Sequence, residues 1–251
     1  MQFVGYEATT DTPAALRVAD EGAVTRVPLE PGAELAFSLG ERHCAGTVEE
    51  GRHAPCSGAD APRCPRHASR WACARCTGDC DRPLPSCREE HAVYLAAFAP
   101  DVFKVGVTRT WRLETRLREQ GADRGARIDT VADGRTARRV EADVATALTD
   151  RVRVPAKLAG LHEAVALDEW ERLLEEYGAD ERFDLDYGLS LDAQPVPATL
   201  ATGTVRGVQG RLLVVERGET TYGVDLRDLV GYEVTRGADG RPRQASLGAY
   251  G

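Results

Sequence analysis

The chain has 251 residues, enough to bury a substantial core and to hold two or three modules. Its formal net charge of -8 argues against nucleic acid on global grounds, because phosphate contacts supply most non-specific affinity. No apolar run approaches a membrane span, and Met1-Gln2-Phe3-Val4 lacks a basic-then-apolar leader, so a cytoplasmic protein without membrane association is expected.

Residues 1–42 read as an N-terminal β module. Gln2 to Ala8 alternates, and Ala14 to Val18, Ala23 to Val27 and Glu34 to Leu39 are further strands, with turns at Asp20-Glu21-Gly22 and Glu30-Pro31-Gly32. They suit either a binding barrel or a small sheet that packs on the rest.

Residues 43–90 hold all seven cysteines: Cys44, Cys56, Cys64, Cys73, Cys76, Cys80 and Cys87. Cys73-x2-Cys76 has metal-knuckle spacing, and His43, His53 and His67 are interspersed. Few apolar side chains are available here to fold the segment without a staple. In a reducing compartment the staple is zinc rather than disulfides, and binding energy becomes folding energy. Seven cysteines with His91 make eight ligands, enough for two tetrahedral sites. The alternative is one site of Cys73, Cys76, Cys80 and Cys87. Either is structural, since a closed thiolate site leaves no position for substrate.

Residues 91–180 form the core. His91 to Phe98 is an apolar strand, Pro100-Asp101 a turn, and Val102 to Val107 a second strand, together a hairpin. A short helix follows in which Leu113 and Leu117 are one turn apart, placing Arg112, Arg116 and Gln120 on a neighbouring face. Arg139 to Leu148 predicts another helix, with Val140, Val144 and Leu148 buried and Glu141 beside them. Asp168-Glu169-Trp170-Glu171 reads as a capping box opening a helix with Trp170, Leu173, Leu174 and Tyr177 on its apolar face and Gly178 at its end. Residues 181–200 read as a linker or extended strap, 201–236 as a C-terminal β module bent at Gly203, Gly207, Gly210 and Gly223, and 237–251 as a tail; the two terminal β segments could form one barrel or two separate sheets.

The order of parts in the core resembles the GIY-YIG nuclease superfamily. Ala92-Val93-Tyr94 stands where that family has Gly-Ile-Tyr, and Lys104-Val105-Gly106 where it has Tyr-Ile-Gly. Arg116 resembles its helix arginine and Glu141 its metal-binding glutamate. The string from Phe103 to Arg109, followed by Arg116 to Ala122 and joined to the upstream cysteines, resembles an uncharacterised prokaryotic family that carries such a core. The fold class expected is therefore α+β: a small GIY-YIG-like core, a zinc segment before it, and barrel-like β modules at both ends.

The resemblance implies a metal-aided phosphodiester hydrolysis in which Glu141 holds Mg²⁺ or Mn²⁺, Tyr94 positions the water, Arg116 stabilises charge, and Lys104 serves as clamp or base. Arg109, Arg112 and Gln120 are candidate phosphate contacts. Each residue also has a plainer reading: Tyr94 as core, Arg116 and Glu141 as an ion pair, Gly106 as a bulge. Of the 32 Lys and Arg only Lys104 and Lys157 are lysine, and this acidic, lysine-poor composition resembles that of salt-loving archaea, with codon bias as the alternative. Residues 104–139 are the basic part of the chain, which keeps nucleic acid, DNA or RNA, as the expected partner. The rival classes are a non-catalytic RNA- or DNA-binding module and a protein-interaction scaffold.

Overall fold

The computed structural model describes residues 1–8, 12–68, 76, 78–80 and 83–237. Cys73 and the tail from residue 238 lie outside the described residues, and with them the expected Cys73-x2-Cys76 knuckle as a unit.

The N-terminal alternation forms β1 (Gln2–Glu7), β2 (Ala15–Asp20), β3 (Ala23–Pro28) and β4 (Glu34–Arg42). Glu21 and Gly22 both take positive φ, 46° and 84°, the geometry that matches a tight turn to the twist of β2 and β3. Two short strands follow, β5 (Thr47–Glu49) and β6 (Arg52–Ala54).

The core comprises β7 (His91–Phe98), β8 (Val102–Arg109), α1 (Leu113–Gln120), β9 (Arg124–Val131), α2 (Gly134–Val144), α3 (Val154–Gly160), α4 (Leu167–Tyr177) and β10 (Glu181–Asp184). Its sheet runs β10-β9-β7-β8, antiparallel throughout. From Ala92 to Phe98, β7 is buried on both faces, which explains its unbroken apolar run. Tyr94, Ala96 and Phe98 face Leu113 and Leu117 of α1. Val93, Leu95 and Ala97 face Ala137 of α2 and Trp170 and Leu174 of α4.

The remaining elements are β11 (Val196–Pro197), β12 (Ala201–Gln209), β13 (Leu212–Arg217), β14 (Thr220–Asp225), α5 (Leu226–Leu229) and β15 (Tyr232–Arg236). Among the described residues, no helix is long and apolar enough to cross a membrane.

Of the arrangements open for the terminal β segments, two separate sheets is not the one found: β4 pairs with both β12 and β15, and β1 pairs with β15, joining Phe37 to Ala201 and Gln2 to Glu233. Alternation tells which side chains point inward, not which strand will be the partner. Nor does a barrel close, because the eleven-stranded sheet ends in short β11 and β5. Two residues with a proline make β11 a poor template for further pairing.

Of the expected linker or strap, Glu181–Asp184 forms β10 and pairs along β9 in extended form, and Leu185 is buried. Two helix boundaries also differ. Asp133 caps α2 by accepting from Arg135 N and Thr136 N, both at 2.9 Å, so that helix starts five residues earlier than Arg139. The capping box of Asp168 does not form, because Ala166 is the N-cap and Asp168 lies within the first turn. There it still complements the positive end of the helix.

The joined sheet makes one testable demand. Phe3 is fully buried and meets Phe37 edge-to-face at 5.3 Å, within a core that includes Leu213, Val224 and Val234. Phe3→Ala should cost about 3–5 kcal/mol, and fluorescence- or circular-dichroism-monitored urea unfolding should show the C-terminal strands lost in the same transition.

Candidate functional site

Two constellations of chemistry-bearing side chains stand out. The first hangs from the end of β4. Cys44 lies two residues beyond that strand, Cys56 two residues beyond β6, and Cys64 and His67 on the loop that follows. The ligand atoms of Cys44, Cys56, Cys64 and His67 all lie within 4.8 Å of one another, and the three cysteines are buried.

His67 Nδ1 stands 3.4 Å from the sulfurs of both Cys44 and Cys64, and the Cys56 and Cys64 sulfurs are 4.0 Å apart. A tetrahedral zinc with bonds of about 2.3 Å to sulfur and 2.0 Å to nitrogen has edges of roughly 3.5–3.8 Å. The donor set therefore fits zinc in size and in softness. Backbone N–H groups point at the sulfurs, Gly58 N to Cys56 Sγ at 3.4 Å and Cys64 N to Cys44 Sγ at 3.2 Å. Burial pushes the Cys44 thiol up. The same burial is outweighed at Cys64, where the backbone N–H of Arg66, the Cys44 thiol and the backbone N–H of His67 bring it down to about 6.

An ion held by these four would have every tetrahedral position filled by protein, the arrangement of a structural rather than a catalytic site. His67 supplies the cluster's nitrogen donor, a place the sequence reading gave to no histidine but His91. Cys64 and His67 are three residues apart on one turn, with His67 N bonded to Cys64 O at 2.9 Å, and that spacing was the available signal. His91, Cys76, Cys80 and Cys87 lie outside this cluster.

The second constellation lies at the β8 side of the core sheet. Tyr94 on β7 faces Gly106 on β8 across the ladder. A Cβ at Gly106 would sit 2.5 Å from the Tyr94 hydroxyl, so glycine there makes room for the ring and is no mere bulge. Gln120 Nε2 donates to Tyr94 Oη at 2.5 Å. Burial pushes the Tyr94 phenol up, against the opposing pull of Arg116 and Gln120. It stays protonated near neutral pH.

Lys104 enters the same neighbourhood from β8. Its burial, with Arg116 and Arg138 near it, lowers the amine to about 8, while Glu141 and Asp150 pull the other way. Arg116 and Glu141 do not pair with each other. Arg116 binds Glu119 at 3.2 Å, and Glu141 binds Arg138 at 2.7 Å with little side-chain exposure. Tyr94, Lys104, Arg116, Gln120 and Glu141 thus form one electrostatically linked group drawn from β7, β8, α1 and α2.

Arg112 joins this group through Glu119, at 2.7 Å. Arg109 turns to a different neighbourhood, where it binds Glu89 at 3.2 Å and stacks over the Trp111 ring at 4.6 Å. Trp111 is 68% exposed, and the sequence had not singled it out. Lys157 was also missed as a site residue. It reaches from α3 to donate to Gln120 O at 2.5 Å and lies over the Phe98 ring. Burial, and then Lys104 nearby, lower its amine to about 7. Both lysines of the chain are thus drawn into one buried neighbourhood, and their rarity was the signal.

The fold and the first cluster define a mixed α+β protein with a cysteine–histidine site fit for a metal ion. A family model described as protein of unknown function (DUF2797) matches residues 32–234, and the chain belongs to that family. No curated protein and no solved structure matches it.

Two outcomes are expected from this geometry. Stripping metal with a strong chelator under reducing conditions should lower Tm by on the order of 10 °C, given about 2–4 °C per kcal/mol at this size. Differential scanning calorimetry with zinc re-addition checks this, and His67→Ala should leave little for zinc to restore.

The second concerns pH. Lys157 titrates near 7 when folded against 10.5 for the free side chain, so between those values the unfolded chain binds more protons. Stability from this group therefore rises with pH across that window, and its penalty is full below pH 7. Denaturant titrations at pH 7 and pH 9.5 should show a smaller gain in Lys157→Met than in the parent.

Proposed function

We propose that the chain is a zinc-stapled nucleic-acid-interacting protein whose core cleaves phosphodiesters with the aid of a divalent metal. What supports this reading is the Gln120–Tyr94 hydrogen bond beside Gly106, together with the electrostatic influence of Arg116 and Glu141 on both Tyr94 and Lys104. The resemblance of these positions to the GIY-YIG pattern supports the roles assigned to them.

Glu141 would hold Mg²⁺ or Mn²⁺, which supplies charge neutralisation at the phosphate and an acidified water. Tyr94, protonated and with its oxygen accepting from Gln120, has its own hydroxyl proton to orient a water or a phosphate oxygen. Lys104, with an amine near 8, is neutral in a minority of molecules at pH 7 and suits a clamp that can also accept a proton. Arg116, held by Glu119 and only partly buried, is placed to follow charge as it builds on the phosphate. Arg138, which pairs with Glu141, would become available for phosphate contact if the carboxylate took a metal.

A second reading, a non-catalytic RNA- or DNA-binding module, is favoured by the exposed Trp111 with Arg109 stacked on it and Arg112 at 5.9 Å from its ring. An aromatic face flanked by guanidinium groups suits a nucleobase and its phosphate.

Cleavage of single- and double-stranded DNA and RNA with Mg²⁺ or Mn²⁺, in dilute and in molar salt, separates the two. The enzyme reading expects wild-type cleavage that falls about 100-fold or more in Glu141→Gln and in Arg116→Ala. No cleavage on any substrate, with binding that Trp111→Ala removes, would establish the binding module instead.

A further inference from the structure

The geometry points to a second metal centre, formed by Cys76, Cys80, Cys87 and His91 at the first turn of α2. It rests on its own contacts and is independent of the phosphate chemistry above. His67 completes the first cluster, and this leaves a further three thiols and one imidazole together in the described chain between Cys76 and His91.

Two of the four flank one point, and the loop that bears the other two packs beside it. A Cβ at Gly134, the first residue of α2, would lie 2.9 Å from His91 Nε2 and 3.1 Å from Cys87 Sγ, so those two ligand atoms flank the same point. The loop bearing Cys76 packs on the next residues of that turn: Arg135 Nε donates to Gly78 O at 3.2 Å, and a Cβ at Gly78 would meet Arg135 O at 2.7 Å. Cys80 follows two residues later on the same loop.

Two details are those of a metal site. His91 Nδ1 lies 2.8 Å from Glu89 O, which places the proton on Nδ1 and leaves the Nε2 lone pair toward Cys87. Gly78 N donates to Cys76 Sγ at 3.4 Å, repeating the Cys56–Gly58 turn of the first cluster at the same distance. A backbone N–H aimed at sulfur from two residues on stabilises a thiolate, which is the ligating form.

Three thiolates and an imidazole select zinc among the common divalent ions. Among the described residues the first cluster alone has its ligand atoms all within 4.8 Å of one another. The second set is more open, and an ion would draw it closed. That closure would tie the cysteine segment to α2, the helix that carries Arg138 and Glu141.

The test is metal stoichiometry of the full chain, refolded under reducing conditions with Co²⁺, whose visible spectrum reports thiolate coordination at each centre. Two equivalents are expected for wild type. Cys44→Ser and Cys87→Ser should each fall to one, the remaining centre's spectrum showing that the rest of the chain is folded. His91→Ala should weaken or abolish the second equivalent, and Cys73→Ser should retain both. Saturation at one equivalent in wild type would overturn the proposal. So would loss of the second equivalent in Cys73→Ser with His91→Ala unaffected, since Cys73 would then hold the position assigned to His91.

Discussion

A phenol buried at the centre of a sheet constrains the core more than any other single feature. Tyr94 lies on the strand that is covered on both faces, and an unpaired hydroxyl there would cost roughly 1–3 kcal/mol. Its ring removes any side chain from Gly106, its oxygen takes the Gln120 amide, and its surroundings bring Arg116 close. Gln120 in turn offers its carbonyl to Lys157, and Lys104 enters beside Arg116 from the next strand. One polar atom in an apolar layer thus organises residues from four elements. The same demand concentrates cationic groups where water is scarce, which explains why both lysines have lowered amines.

The larger sheet supplies the frame. Its first and last strands pair side by side, and β4 lies between β15 and β12, so both ends of the folded chain close on one apolar core. The cysteine–histidine cluster begins two residues beyond β4 and is anchored at its base: His43 N donates to Gly231 O at 3.1 Å, and Gln2 Nε2 donates to the same carbonyl at 3.0 Å. The two sheets also touch directly. Gln209 of β12 donates to Gly121 O at 3.0 Å and to Asp123 at 2.9 Å, at the end of the helix that carries Arg116 and Gln120. The frame therefore reaches the side chains of the candidate site through short polar links.

Much of this was legible in the residues themselves. The two central core strands follow from their apolar runs and the strands of both ends from alternation and turn residues, and Leu113 with Leu117 declared the buried face of α1, whereas β9, rich in charged residues, gave no such pattern. The metal segment was legible as a segment, because seven cysteines among few apolar side chains have little else to fold them. Ligand choice was not. His67 and His91 both stand near cysteines, and only the path of the chain after β6 brings His67 Nδ1 between two sulfurs. The joining of the terminal strands was hidden for a similar reason, since Phe37 and Ala201 pair across a separation no local pattern encodes. Glu141 shows the limit most clearly: helical spacing put it beside the buried face, yet its ion pair to Arg138 rather than Arg116 depends on tertiary placement.

The claim on which the functional account turns is that Glu141 is a metal ligand in waiting rather than one half of a permanent ion pair. Anomalous diffraction from crystals grown with Mn²⁺ and a short oligonucleotide tests it most directly. The account predicts a manganese peak on the Glu141 carboxylate, with Arg138 swung away and a phosphate near Arg116 and Tyr94. An intact Arg138–Glu141 pair, with oligonucleotide bound elsewhere and no manganese at Glu141, would contradict it.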